Sequence, residues 1–336
     1  MKQVKQRIHK PSGSIKENWS YKLKETFLRF FGDVKLFRGQ PRLFVLPELV
    51  STSLFGSTLL YDPSSYRVKG DDMRRAMQDI QPGDILVRGF ENYVDGNFIP
   101  GFFSHAGLYL GKVDETTIRQ IWNTRFAGCS PKEHDYATLK EVLAKVVCGE
   151  QMVIHSMKDG IFMEDLLNFC RCDYMAAVRL PGSLTRSPDV QQPYSENANI
   201  RKAFTVEEHK IADELKRHGV VPFADVFPVM FKLALSQLGT SYDFGLDFSN
   251  FKKMSCTEFV YYCTKALEWC HDVHPVTETV MYLKAPGISP DGFVGATSAT
   301  RPVHLTVSYA SGALAAKNVL PEIQARYPGP YGKFSK

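Results

Sequence analysis

Met254-Ser255-Cys256-Thr257-Glu258-Phe259-Val260 places a cysteine on the first turn of a helix. Ser255 and Glu258 have the S-x-x-E spacing of a capping box, in which the serine accepts from the opening backbone N–H groups and the glutamate reaches back. Cys256 then takes the first helical position. There the positive end of the helix dipole and free amide donors favour a thiolate, so a pKa below the roughly 8.5 of an ordinary cysteine is expected. That is the setting of a nucleophile. A bland reading stands beside it, because Cys256, Phe259, Val260, Cys263, Leu267 and Cys270 recur at helical spacing and make an apolar face on which Cys263 and Cys270 are core residues.

Thiol chemistry needs a histidine to take and return the proton and a polar group to orient the imidazole. Upstream, Ile80-Gln81-Pro82-Gly83-Asp84 reads as a turn feeding a strand at Ile85-Leu86-Val87-Arg88, where a β-rich core begins. Ser104-His105-Ala106-Gly107-Leu108-Tyr109-Leu110-Gly111 alternates as a strand, with His105, Gly107 and Tyr109 on one face and Ala106, Leu108 and Leu110 on the other. Met152-Val153-Ile154-His155-Ser156, a turn at Asp159-Gly160, Ile161-Phe162-Met163 and a strand near Tyr174 to Leu180 continue an antiparallel meander. His105, His155 and Cys256 thus supply the three roles, each histidine having buried packing as its alternative. Zinc is a further reading of the same side chains, against which stands the absence of paired C-x-x-C or H-x-x-x-H spacing.

Around this core, residues 113–150 read as an insertion with a helix around Tyr136 to Val147, and residues 182–200 as a polar surface loop. Helical spacing runs from Val206 to His218 and from Ala224 to Leu238, with Pro228 marking a start or kink. The expected organisation is an N-terminal extension of unassigned chemistry (1–75), a catalytic domain (76–298) with insertions near 113–150 and 182–230, and a C-terminal tail (299–336).

Composition bounds the class. The 336 residues are 44% hydrophobic and 12% aromatic, enough for a sizeable core. No run approaches the roughly 18 apolar residues of a membrane span, and no signal-peptide core follows Met1 to Arg7. The 7 cysteines form no even disulfide framework, which fits a reducing, cytoplasmic setting. A net charge of +5 without a long basic block gives no reason to expect nucleic acid as a partner. Residues 18–35 mix Trp19, Tyr21, Leu23, Phe27, Leu28, Phe30 and Phe31 with Lys22, Lys24 and Arg29. That pattern suits either an amphipathic helix on an anionic membrane, giving peripheral contact, or a helix packed on its own domain.

Taken in order, Gln81-Pro82-Gly83-Asp84-Ile85-Leu86, Ser104 to Gly111, Val153-Ile154-His155-Ser156 with Asp159-Gly160-Ile161, Tyr242-Asp243-Phe244, Ser255 to Val260, and Ile288-Ser289-Pro290-Asp291 resemble the permuted papain-like amidases. The likeness is to the YaeF/YiiX type of the NlpC-like superfamily, which also contains lecithin retinol acyltransferase, and it covers roughly residues 78 to 295. The resemblance implies an α+β, circularly permuted papain-like (NlpC-like) fold: an antiparallel sheet packed against helices, with the catalytic cysteine at a helix N-terminus. It implies Cys256 as nucleophile, His105 as general base and acid, and His155 as orienting group, with Glu164 and Asp159 in reserve. The Cys256 N–H holds the oxyanion in this scheme, with Tyr242 as a second donor, and Glu258 is a cap rather than an acid. No cofactor or metal is implied.

The implied activity is a cysteine hydrolase cleaving an amide of peptide or acyl-amino-acid type through a thioester. A histidine at the third position is more like the acyltransferase branch, so a lipid acyltransferase or lipid ester hydrolase is the alternative. A non-catalytic binding module on the same fold is the other. The substrate partner is accordingly an acyl-amide, a peptide or a lipid.

Overall fold

In the computed structural model of the chain, the described residues are 68, 70–89, 103–130, 136–188, 190–217, 219–243, 248, 251–271, 273–280, 283–295 and 304–310, with backbone alone at 278–280, 283–285 and 304–310. The expected membrane-facing segment 18–35 lies outside the described residues, as does most of the extension and tail.

In chain order the elements begin with α1 (Gly70–Asp79), β1 (Ile85–Gly89), β2 (His105–Val113), α2 (Glu115–Asn123), α3 (Leu139–Leu143), β3 (Gly149–Met157), β4 (Gly160–Asp165) and α4 (Leu166–Phe169). There follow β5 (Tyr174–Arg179), β6 (Ser183–Leu184), α5 (Ala198–Arg201), α6 (Val206–Lys216), β7 (Val221–Pro222) and α7 (Phe223–Ser236). The remainder is α8 (Cys256–Thr264), α9 (Glu268–His271), β8 (Val276–Val280), β9 (Leu283–Gly287), α10 (Pro290–Gly295) and β10 (His304–Ala310).

The protein is α+β, with a six-stranded sheet of order β10-β5-β1-β2-β3-β4 and antiparallel pairing throughout. Pro82-Gly83-Asp84 shows how the sequence starts it. Gly83 takes φ +95°, and a Cβ there would lie 2.4 Å from the Phe223 ring, so only glycine fits. Gly83 N–H donates to Tyr109 O (2.8 Å) and Tyr109 N–H to Asp84 O (2.9 Å), fastening the turn to β2. The buried Asp84 carboxylate accepts from Gln81 N–H (2.8 Å) and from Arg179 of β5 through Nε (2.9 Å) and Nη2 (2.7 Å). One turn thereby sets β1 against both neighbours.

Alternation along β2 divides two cores. Ala106, Leu108 and Leu110 join the larger, with Ile154 of β3 and Phe259 and Val260 of α8, while Tyr109 joins the smaller, with Val153, Phe169 and Ala76 of α1. Helix α8 packs against β2, β3 and α7. Burying Phe259 and Val260 contributes roughly 1.5–3 kcal/mol each, more than the ~1 kcal/mol of a serine cap. Packing therefore holds α8 on the sheet, and the cap decides where it begins.

Several expectations change. Residues 182–200 are not a purely solvent-facing loop: Leu184, Val190 and Ile200 are buried, β6 pairs with β7, and Glu268 of α9 accepts from the N–H groups of Tyr194 and of Ser195 (2.9 Å). The insertion carries α2 as well as a helix near Tyr136, because Asp114 caps it by accepting from Thr117 N–H (2.7 Å). Of the two readings of Pro228, its position inside α7 removes the helix start and leaves the kink. The boundary at residue 75 falls within α1, and residues 304–310, expected in the tail, pair with β5 as an edge strand.

Candidate active site

The capping box forms as its spacing predicts. Ser255 Oγ accepts from Glu258 N–H (3.4 Å), and Glu258 accepts from Ser255 N–H (2.6 Å) and Phe248 N–H (2.9 Å). Cys256 occupies the first helical position and is 4% exposed. Three backbone amides, those of Ala106, Thr257 and Cys256 itself, favour the charged sulfur. Burial outweighs them and pushes the thiol up to about 11. The expected lowering therefore fails in the resting protein: a helix N-terminus is worth at most about 1–2 kcal/mol, near one pKa unit, and desolvation exceeds it.

Ala106 is the residue after His105, so the sulfur comes to β2 one peptide from the imidazole. His105 opens the strand. Gly107 pairs with His155 in the β2–β3 register, and with no side chain at Gly107 the two imidazoles close on one another. His105 Nε2 lies 2.7 Å from His155 Nδ1. Both rings pack on Phe169, at centroid distances of 5.9 and 5.5 Å, and so lie on the smaller-core side, whereas the body of α8 is on the other. Sulfur and imidazole are thus related around the start of β2 rather than across a sheet face.

The polar chain continues past the histidines. His155 Nε2 lies 3.0 Å from Glu164 Oε1, and Glu164 Oε1 lies 3.3 Å from Arg88 Nη1. Arg88, opposite His105 in the β1–β2 register, also donates to Phe169 O (3.0 Å) and stacks 4.3 Å over the Phe169 ring. Burial raises the Glu164 carboxyl, but the His155 contact and the Arg88 charge overcome it and bring it down to about 2. Burial, then Arg88, then His155 hold His105 well below its ordinary value. A neutral imidazole and a neutral thiol are the resting forms at neutral pH.

The remaining expected residues are placed as follows. Asp159 is exposed at the β3–β4 turn. Glu258 is buried in the cap, its carboxyl raised by burial and by Asp243. Tyr242 is half-buried in the loop that Gly160 admits, where φ is +100° and Ile161 N–H donates to Thr240 O (2.8 Å). The same loop reaches the cysteine turn through Met254 N–H to Ser241 O (3.1 Å).

Sequence reasoning missed three fastenings. Ser156 Oγ donates to Met254 O (2.6 Å), tying β3 to the cysteine turn; Asp291 accepts from Phe103 N–H (2.7 Å), fixing the approach to His105; and Arg88 closes the polar chain. An arginine within the apolar run Ile85 to Gly89 was the visible signal for the last.

Among the described residues no three His, Cys, Asp or Glu side chains are arranged to hold a metal ion, and no helix is long and apolar enough to cross a membrane. The described cysteines are all free thiols. No protein-family model matches the chain, nor does any curated protein or solved structure.

Proposed function

We propose that the chain is a cysteine hydrolase that cleaves an amide of peptide or acyl-amino-acid type, on a permuted papain-like fold. The observation that carries the reading is the sulfur at the first turn of α8, approached by the Ala106 amide, one residue from an imidazole held by a second histidine.

Because thiol and imidazole rest neutral, the chemistry is general-base attack rather than reaction of a standing thiolate. His105 takes the S–H proton as Cys256 Sγ bonds to the carbonyl carbon, and the oxyanion lies against the Cys256 N–H, with Tyr242 as second donor. Collapse breaks the C–N bond, and His105 returns the proton to the leaving amine. Water then attacks the thioester, His105 accepts its proton, and the acid departs from a regenerated thiol. The contact between Sγ and His105 that this transfer requires is expected to form when substrate binds.

The test is a substrate panel of N-acyl amino acids, short peptides and phospholipid esters, assayed with wild type, Cys256→Ala and His105→Ala. Amide cleavage lost in both variants supports the reading. Ester cleavage alone, lost in both, moves it to the lipid alternative. Activity retained by Cys256→Ala removes it.

A further inference from the structure

The polar chain behind the histidines holds more than an orienting group. Glu164 stands on β4 with its oxygen 3.0 Å from His155 Nε2 and 3.3 Å from Arg88 Nη1, and His155 Nδ1 stands 2.7 Å from His105 Nε2. A carboxylate only accepts, so a proton shared across the 3.0 Å approach of Glu164 to His155 belongs to His155 Nε2. In its neutral form His155 then has a bare Nδ1, which can only accept. In that form the proton in the next contact belongs to His105 Nε2, leaving His105 Nδ1 as the bare nitrogen. One carboxylate thereby sets the tautomers of two imidazoles in series.

We propose that Glu164 is a positioning residue for the Cys256–His105 pair, acting through His155 to keep His105 Nδ1 free for the thiol proton and to stabilise the imidazolium that forms. The proposal rests on the cysteine reading above and adds to it. It also answers a weakness of a histidine in third place. A neutral imidazole alone stabilises a neighbouring imidazolium poorly, whereas one backed by a carboxylate passes that stabilisation on. Arg88 keeps Glu164 in its charged form and in place.

The titratable and charged groups around the pair are few. Arg88 faces His105 from β1, and Glu164 faces His155 from β4, with Asp165 and Cys170 near Glu164 and Arg88. Cys256 approaches from α8, with Glu258 of the same helix close behind it. Of these, the Glu164 carboxylate is the one whose oxygen lies 3.0 Å from His155 Nε2, so its neutralisation is the direct perturbation.

The experiment is the rate of iodoacetamide alkylation at Cys256, resolved from other cysteines by peptide mass mapping, from pH 5 to 11. It compares wild type, Glu164→Gln, Glu164→Asp and His105→Ala, with thermal melting to show that each is folded. Glu164→Gln is expected to alkylate about tenfold more slowly at pH 7.5, the scale of losing one adjacent opposite charge. Glu164→Asp, which keeps the charge, is expected to recover most of the rate. A second measurement needs no variant: imidazole 15N shifts of the wild-type protein should show both His105 and His155 carrying their proton on Nε2. A Glu164→Gln rate equal to wild type, an Asp variant as slow as the Gln variant, or a His155 proton on Nδ1 would each overturn the proposal. If His105→Ala also alkylates like wild type, the cysteine reading falls as well. If only the Glu164 variants are unaffected, that reading stands and this inference alone is lost.

Discussion

Gly107→Ala perturbs the site without touching a reacting group. A Cβ at Gly107 would lie 3.0 Å from Phe169 Cε2, 3.1 Å from His155 Cβ and 3.2 Å from Val153 Cγ1. All three neighbours are buried, and two belong to the strand paired with β2, so none can swing aside as a flexible side chain would. Each must yield by a few tenths of an ångström. Overpacking of this kind costs roughly 1–3 kcal/mol, against which alanine in a strand regains about 0.5–1 kcal/mol over glycine. The net expectation is a loss of up to about 2.5 kcal/mol, centred near 1 kcal/mol. The displacement falls on His155, so the 2.7 Å contact with His105 should lengthen too. Urea unfolding measures the first effect, read as a lower midpoint at unchanged slope. Imidazole proton resonances measure the second. Gly70→Ala is the control, since nothing lies within 4 Å of a Cβ there. Equal stability of the two variants would refute the argument that Gly107 is bare in order to let the imidazoles meet.

Three other outcomes follow from buried charge. Lys232, fully buried, donates to Glu207 (2.6 Å) and to Thr124 O (2.9 Å). Lys232→Met should therefore cost about 3–5 kcal/mol by leaving a buried carboxylate without its counter-charge, held by Phe126 N–H and Tyr136 Oη–H, and adding Glu207→Gln should recover part of it in the same unfolding assay. Glu268 accepts from Ser195 N–H and from Tyr261 Oη–H, yet burial outweighs these and His274, raising its carboxyl to about 7 from 4.5. A raised folded pKa gives stability that is complete below the unfolded value and is lost as pH rises through the folded one. Glu268 should then account for a loss of about 3 kcal/mol between pH 4.5 and 7, and Glu268→Gln should flatten that stretch of the stability profile. Asp291→Ala removes the acceptor of Phe103 N–H just before His105. It should cost about 1–3 kcal/mol and lower the alkylation rate of Cys256.

What could be read in the chain beforehand was local. The cap at Ser255 and Glu258 is a relation among four consecutive residues and forms as expected. The β2 alternation holds as well, with Ala106 and Tyr109 in different cores. What escaped depends on contacts between distant segments. Strand spacing alone gives no register, so the pairing of His105 with His155 was expected only from the resemblance, and neither its place opposite Gly107 nor the reach of Arg88 to Glu164 past the two intervening strands was visible. The Cys256 thiol was misjudged for the same reason: the dipole is a property of its own helix, whereas the burial that outweighs it is set by the strands packed against that helix. Strand β10 escaped because its partner β5 lies more than a hundred residues earlier.

The central claim is that Cys256 carries an acyl group during turnover. The direct measurement is the mass of protein quenched in acid while cleaving a reactive N-acyl substrate, followed by peptide mapping. The account predicts an adduct of the acyl mass on Cys256, released by neutral hydroxylamine as a thioester should be, and missing from His105→Ala quenched at the same time. Turnover with no adduct at Cys256, or an adduct that forms as fast without His105, would contradict it.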